Sequence, residues 1–431
     1  MRIWIVSVGE RPISSTNLPG RSGRMDLLVE QLCARGARVT WWSSVFDHRS
    51  KTDSTPHGMR YSVRPGYEIV LMRGYSYQRN VSFQRLLFNY SMEREFRRLT
   101  KTEQPPDVIL AAYPPIELVA AAGRYGHEHG VPTIGDVRDL WPDIWAEAVP
   151  RLLRGPAHVG LAPYFLLSRR ALASMTSITG ITEEFVDWGA RRAGRRRRPT
   201  DRAFPFGYKL LEPPPSERAE ANEFWQGLLH RPTDDRPLAL RLCFMGNVGA
   251  RTGIQHVIEA VAGLPSDLGK RVQLVICGGG DLAQIKQRFG NHPSVVFAGW
   301  VDHTKLLALM RISDLGVAPY HNTPDFQNSL SNKMIEYLAG GLAIVTGLEG
   351  KLKRLIRDAG CGYTYASQDV EDLKRVIGSI VSQPAELERR KAAARSIYER
   401  EFRAETVYGA YADHVAHVAT LGSGKPSRTA A

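Results

Sequence analysis

Met1-Arg-Ile-Trp-Ile-Val-Ser-Val8 opens the chain as a short apolar, β-prone run. A loop then leads to a segment from about Ser22 in which Met25, Leu28, Val29, Leu32 and Cys33 follow the i, i+3, i+4, i+7, i+8 spacing of one helix face. Gly36 ends that helix, and Arg38 to Ser44 reads as the next strand, which completes a βαβ unit. Working outward, strand-like runs at Asp107 to Ala111, Pro132 to Gly135 and Ser177 to Thr179 alternate with helical patterns. A doubly wound parallel α/β sheet is the economical solution for this first domain, residues 1–208.

The rhythm breaks where Glu212-Pro-Pro-Pro215 and Pro232-Thr-Asp-Asp235 crowd turn-forming residues together, so residues 209–236 read as a linker. It restarts with a strand from Leu238 to Met245, a helix bearing Ile254, Val257, Ile258, Val261 and Leu264, and a strand from Val272 to Cys277. Val295 to Ala298 and Leu315 to Pro319 are further strands around a helix near Lys305 to Ile312. Residues 237–400 thus form a second doubly wound domain. The helical stretch 401–421 is expected to return to the first domain, and 422–431 to be a flexible tail. Two such domains facing each other put the expected ligand site in the cleft, at the carboxyl ends of both sheets.

Composition narrows the function classes. Of 431 residues, 43% are apolar and 23% charged, which excludes a disordered, collagenous or coiled-coil chain. Lys plus Arg number 57 against 44 Asp plus Glu, a formal charge of +13 that favours an anionic partner. Cys33, Cys243, Cys277 and Cys361 are too scattered for a disulfide framework or a CxxC zinc site, which points to a reducing cytoplasm. The first strand passes into Gly9-Glu10-Arg11 without a small-residue cleavage run, so no signal peptide is read, and no apolar run approaches the ~18 residues of a membrane span.

Chemistry is expected in the loops. Gly9, Gly20 and Gly23 do not make GxGxxG, and the second strand ends in Trp41-Trp42-Ser43-Ser44 rather than an acid for ribose, which disfavours a nicotinamide or flavin site. Arg21 and Arg24 stand at the start of the first helix, where a cation opposes the macrodipole unless an anion is bound there. In Asn328-Ser-Leu-Ser-Asn-Lys-Met-Ile-Glu336 the same oddity recurs, with Lys333 in the first turn of a helix beginning near Ser331. Its backbone N–H groups, from Ser331, Asn332 and Lys333, suit a diphosphate. Glu336 either accepts from a ribose diol or pairs with Lys333. Gly246-Asn247-Val248-Gly249-Ala250-Arg251 and Gly278-Gly279-Gly280-Asp281 follow strands and let a ligand approach the backbone. In the first domain, Asp136-Val-Arg-Asp-Leu-Trp-Pro-Asp143 puts Asp136, Arg138 and Asp139 at a strand's carboxyl end, where a general base or a positioning group is plausible beside a purely structural Arg–Asp pair.

These residues resemble the GT-B glycosyltransferases, and within them the retaining nucleotide-sugar transferases of glycosyltransferase family 4. Phe244-Met-Gly-Asn-Val-Gly249, Val275-Ile-Cys-Gly-Gly-Gly-Asp281, Val296-Phe-Ala-Gly-Trp-Val301, Asp314-Leu-Gly-Val-Ala-Pro319 and Lys333-Met-Ile-Glu-Tyr-Leu-Ala-Gly-Gly341 look like the family's donor half, in order and spacing. Ser22-Gly-Arg-Met25, Val39-Thr-Trp-Trp-Ser-Ser44, Gly74 to Ser82 and Asp136 to Asp143 are similar to the branch containing N-acetyl-fucosaminyl transferases of bacterial surface-polysaccharide synthesis. The family's two glutamates eight positions apart read Asn328 and Glu336 here. Its phosphate-loop Arg and Lys fall on Asn247 and Thr252, so Arg251 and Lys333 are expected to supply the charge.

The resemblance implies two Rossmann-like domains facing across a cleft. It implies transfer of a sugar, with retention, from a nucleoside diphosphate donor to a sugar or lipid-linked acceptor, without metal or other cofactor. Gly23, Arg24, Gly246, Asn247, Arg251, Gly278, Gly279, Asn328, Ser331, Asn332, Lys333 and Glu336 would bind the donor, and Asp136, Arg138 and Asp139 would position the reactants. The basic, apolar stretch Arg151 to Arg170 and the Arg-rich segment Arg191 to Arg202 suit either peripheral attachment to anionic lipid at the inner face of the membrane, or a solvated loop and a core helix. A nucleotide-sugar 2-epimerase shares the architecture but would show a different acid and histidine set. A nucleic-acid binder would explain the charge, yet no such motif is present and aromatics do not interleave the arginines. A non-catalytic scaffold is favoured only by Asn328.

Overall fold

Apolar runs alternating with amphipathic helices build two separate sheets. The computed structural model describes residues 1–10, 12, 23–48, 50–55, 57–79, 82–147, 149–150, 152, 154–229, 238–249 and 251–422. The chain divides into one unit of Met1–Pro205 with Ala404–Ala431, and a second of Phe206–Arg403. Arg21, Ala250, the Pro232 turn and the expected tail beyond residue 422 lie outside the described residues.

The first unit contains β1 (Arg2–Val6), β2 (Arg38–Ser44), β3 (Phe46–Asp47), β4 (Thr52–Asp53), β5 (Arg60–Arg64), β6 (Tyr67–Met72), β7 (Val108–Tyr113), β8 (Thr133–Val137), β9 (Ser177–Gly180) and β10 (Arg202–Ala203). Eight of them form one sheet in the order β10-β9-β8-β7-β1-β2-β6-β5, with β3 and β4 paired apart. All neighbours are parallel except β5 on β6. A parallel sheet covered on both faces needs strands buried on both faces, and β7 is buried at every residue. The strand order reverses between β1 and β7, so the loops leaving these strands splay apart and open a crevice at their carboxyl ends.

The final helix, Ala404–Thr420, belongs to this unit. Its apolar residues recur at three and four, so Val407, Tyr408, Tyr411, Ala412, Val415 and Val418 share one core with Met25, Leu28 and Leu32 of the helix Arg24–Ala34. His414 on the same helix is 4% exposed and lies 3.1 Å through Nε2 from Ser177 Oγ. Burial, with Arg202 and His417 nearby, pushes its pKa down to about 4. The unfolded imidazole titrates near 6.5, so between these values the unfolded chain binds more protons and stability falls as the pH falls. The first unit is expected to lose about 2 kcal/mol between pH 6.5 and pH 5 from this group. Urea midpoints measured across that range should show the slope in wild type and a shallower one in His414→Gln.

The second unit contains β11 (Leu240–Met245), β12 (Val272–Cys277), β13 (Val295–Gly299), β14 (Leu315–Ala318), β15 (Ala343–Thr346) and β16 (Gly362–Thr364). They form one parallel sheet in the order β13-β12-β11-β14-β15-β16. Its switch point lies between β11 and β14. The segment read as a linker is not one throughout. Pro215 starts a helix, Pro215–Leu228, whose Trp225 is 2% exposed and donates through Nε1 to Lys305 O at 2.7 Å. A proline run is a turn signal, but proline also suits the first helical position, where its missing N–H costs nothing. Ala221 and Trp225, four apart and both buried, are the face that packs.

Candidate functional site

Asp136 ends β8 with its side chain fully buried. Arg24 grips it with two parallel bonds, Nε to Oδ2 and Nη2 to Oδ1, each 3.0 Å. Arg138 Nε reaches Oδ2 at 2.8 Å, and Thr179 Oγ1 donates to Oδ1 at 3.0 Å. Burial alone would raise the Asp136 carboxyl, but the Arg24 and Arg138 guanidiniums outweigh it and hold the group well below the usual carboxylate range. Arg24 also donates through Nη1 to Pro205 O at 2.9 Å and lies 5.1 Å from the centre of the Tyr411 ring.

These contacts correct two expectations. Arg24 does not present its charge to a bound anion: its side chain is 1% exposed and committed to Asp136. The anion at the helix start is the chain's own Glu10, whose Oε1 accepts from Met25 N at 2.8 Å and whose Oε2 accepts from Arg138 Nη1 at 2.8 Å. Gly23 is needed because a Cβ there would sit 1.9 Å from that Glu10 oxygen. Asp136, with both oxygens engaged, has no room to take a proton from a substrate, and its bond to Nε holds Arg138 in place. Thr179 and Tyr411, which complete this cluster with Glu10, lie with Arg24 and Asp136 on four separate elements, and Glu10 lies in the loop after β1, so no local spacing announces them.

Arg138 and Asp139 are the two that reach open space. Both line a cavity of about 210 Å³ at the carboxyl ends of β1 and β7. Arg138 keeps one buried nitrogen, Nη2, without a hydrogen-bond partner. Asp139 accepts from Leu140 N at 3.0 Å and from Trp141 Nε1 at 3.1 Å. His48, Tyr77 and Arg85 line the same cavity without having been expected as site residues, although Tyr77 lies in the motif stretch Gly74 to Ser82. Arg85 stands third in the helix Phe83–Leu99, after the N-cap Ser82, so the signal that singled out Arg24, a cation in a helix's first turn, would have found it.

In the second unit the expected loops do gather at the carboxyl ends of β11, β12 and β14. Val248 N donates to Gly279 O and Asp281 N to Val248 O, each at 2.9 Å, tying the first two loops together. Gly278 has φ +129°, and a Cβ on it would lie 1.9 Å from Gly246 O, so glycine is what lets these two loops pack. Gly279 has only Asn247 Oδ1 at 4.0 Å, and nothing crowds Gly249. Gly278→Ala is therefore expected to cost about 1–3 kcal/mol, against under 1 for Gly279→Ala, in thermal melts of the two variants.

Ser331 caps the helix Asn332–Ala339, which buries Met334, Ile335, Tyr337 and Leu338. Tyr337 Oη receives Met245 N at 3.0 Å, fixing the helix against β11. Glu336 is 2% exposed and lies 3.4 Å through Oε2 from Lys333 Nζ, so the pair is not an ordinary solvated one. The Lys333 charge is felt at Cys277, the last residue of β12. Asn328 closes the short helix Pro324–Asn328 and is half-buried. Arg251 bonds Asp325 Oδ2 at 2.6 Å and lies 4.9 Å from the Phe326 ring centre. Among the described residues, no three His, Cys, Asp or Glu side chains group as a metal site requires.

Residues 235–397 match the family model for glycosyl transferases group 1. Over its whole length the structure is similar to sucrose-phosphate synthase from Thermosynechococcus elongatus, with a TM-score of 0.72 at 16% identity, covering 97% of this chain and 99% of that one. The fold is GT-B. The GT-B protein HepE of Anabaena, solved with UDP-glucose, gives a TM-score of 0.63 at 14% identity over 98% of this chain and 100% of that one. In sequence, 145 residues are 28% identical to an uncharacterised glycosyltransferase of Methanocaldococcus jannaschii, covering 33% of this chain. The chain spans about a third, 36%, of the length of that relative.

Four arginines of the Arg-rich segment have partners within the chain. Arg192 pairs with Asp143, Arg195 with Asp201, and Arg197 with Glu183 and Asp187, while Arg198 donates to Met175 O. Of the two stretches read as lipid-facing, only the first leaves apolar side chains in solvent, Leu152, Val159 and Leu166 at 94%, 77% and 47% exposure. Among the described residues, no helix is long and apolar enough to cross a membrane.

Proposed function

We propose that this GT-B protein transfers a sugar from a nucleoside diphosphate sugar to an acceptor hydroxyl, with retention at the anomeric carbon, as a member of glycosyltransferase family 4. The observation that carries the reading is the start of the helix Asn332–Ala339, where Lys333 stands over a buried Glu336 beside the ends of β11 and β12, inside the segment matched by the group 1 family model. As the bond from the anomeric carbon to the diphosphate breaks, its electron pair moves onto the phosphate oxygen. The Lys333 ammonium and the oriented N–H groups stabilise that growing charge more than they stabilise the ground state. The new bond forms from the acceptor oxygen to the same face of the anomeric carbon, and the acceptor proton passes to the departing diphosphate. Glu336 accepts from the ribose hydroxyls.

Nothing in this route requires a divalent ion, so transfer is expected to proceed unchanged in excess EDTA, in a coupled assay for nucleoside diphosphate release. The narrower motif likeness supports a place in surface-polysaccharide or glycoconjugate synthesis on the cytoplasmic side. The exposed Leu152, Val159 and Leu166, with Arg154, Arg169 and Arg170 nearby in sequence, support peripheral contact with anionic lipid. Saturation-transfer NMR with UDP-, GDP- and dTDP-sugars tests the central reading. Selective binding of one donor, weakened by Lys333→Ala and Glu336→Ala, is the expected result. Folded protein that binds none of them would remove the transferase reading.

A further inference from the structure

A cavity of about 950 Å³ runs along the outer edge of the second unit's sheet, beside β16. In the sheet order β16 stands two strands from β14, on the side away from β11 and β12, so the cavity is apart from the loops that gather near Lys333. The helix Lys351–Ala359 gives it Lys353, Arg354 and Arg357, and the helix Pro384–Ile397 gives it Arg389 and Arg390. Tyr363 of β16 and Val376 of the helix Val370–Ser382 add apolar surface. The carboxylates among its described lining residues are Glu349 and Asp358. Both sit in exposed pairs, Glu349 with Lys353 and Asp358 with Arg357, each at 2.8 Å. Such pairs gain little and are screened by salt, so a multiply charged ligand can displace the partner. Just outside, Glu386 Oε1 accepts from Arg389 Nη2 and from Arg390 Nε, each at 2.6 Å, so one carboxylate is shared between two guanidiniums.

Arg390 is held before any ligand arrives. Its Nη1 donates to Gly362 O, and its guanidinium lies 4.5 Å from the Tyr363 ring centre, which leaves Nη2 on a group that has little freedom left to lose on binding. The same bond occupies a carbonyl of a three-residue edge strand, which works against an added peptide strand and in favour of a small ligand. About 950 Å³ lies near the top of the roughly 300–1,000 Å³ of small-molecule sites, room for a ligand of nucleotide size. One guanidinium fork suffices for a single carboxylate, whereas cations supplied by two helices suit a chain of phosphoryl groups. We propose that this cavity is a second anion site, apart from the donor helix and independent of the transferase reading, which binds a small ligand carrying two or more phosphoryl groups.

Isothermal titration calorimetry on the full chain tests it, in a Lys333→Ala background that silences the donor helix. Inorganic phosphate, pyrophosphate, ADP and citrate are the probes. Pyrophosphate or ADP is expected to bind about tenfold or more tighter than phosphate and citrate, and to lose at least about tenfold when Arg357→Gln and Arg389→Gln are added. Both arginines are mostly exposed, so circular dichroism and melting should be unchanged by these two substitutions. Should the combined variant fail to fold, Arg389→Gln alone carries the comparison, and Lys333→Gln replaces Lys333→Ala if that background is the cause. Equal binding of citrate, no binding of pyrophosphate or ADP, or binding that survives Arg357→Gln and Arg389→Gln overturns the proposal. Vesicles of phosphatidylglycerol and a polyglutamate peptide form the last arm: capture of either, with neither pyrophosphate nor ADP bound, assigns these cations to a lipid surface or an acidic chain and overturns it as well. The reading of the donor helix fails separately, by absence of UDP-, GDP- and dTDP-sugar binding to wild type.

Discussion

Lys333→Ala is expected to lower kcat for sugar transfer by about 100- to 1,000-fold, the scale seen when one preorganised donor to a developing oxyanion is removed. The lysine sits in the first turn of a helix, where a cation opposes the macrodipole and should weaken the helix. Glu336 one turn on, at 3.4 Å and nearly inaccessible to water, compensates for it. A diphosphate arriving there reverses the balance: the helix N-terminus and the ammonium then act on the same charge in a partly water-excluded setting. Because the charge grows as the glycosidic bond breaks, the loss should fall on kcat more than on KM. Lys333→Arg should recover part of the rate, since charge is kept but the point-like ammonium is not. A purely structural lysine would instead give a lower melting temperature with kcat intact in the surviving folded fraction. Progress curves for donor turnover, taken with thermal melts of the same preparations, distinguish the two.

Asp136→Asn is expected to destabilise the first unit by about 3–5 kcal/mol, because it leaves Arg24 and Arg138 as buried cations whose shared counter-ion is gone. The replacement amide can accept on one side only, so the two-pronged grip of Arg24 is lost as well. Arg24→Met, which removes one cation and keeps Arg138 on Asp136, should cost less. The pH dependence follows from the sign of the shift. A carboxyl held low by its neighbours contributes stability that is complete above its unfolded value near 3.9 and is lost as the pH falls below it, towards the depressed folded value. Wild type should therefore lose stability on acidification below about pH 4 more steeply than Asp136→Asn. Guanidinium melts between pH 3 and pH 7 show the difference as a change of slope.

Periodicity carried most of the fold. β7 is apolar throughout, β11 and β12 each carry a single polar residue, Arg241 and Gln273, and the helix over Ile254, Val257, Ile258 and Val261 repeats on one face, so each could be read locally. β5 and β10 could not: one has an exposed, charged face and the other only two residues, so neither leaves an apolar signature. At the candidate donor helix, Lys333 and Glu336 were legible because both belong to one turn. The Arg24, Asp136 and Glu10 cluster was misread for the opposite reason. Its charges cancel between residues 10 and 136, and the local oddity of a cation at a helix start was visible while its remote counter-ion was not.

The first unit is closed by residues that the chain supplies last. With Ala404–Thr420 packed on Arg24–Ala34, the whole of Phe206–Arg403 must leave the ribosome before Tyr411, Val415 and Val418 can complete a core whose other half was made at the beginning. A nascent chain paused within the second unit therefore exposes an apolar strip along Met25, Leu28 and Leu32. The second unit, which is continuous in sequence, is free to fold first despite coming later, reversing the usual order in which N-terminal domains mature during synthesis.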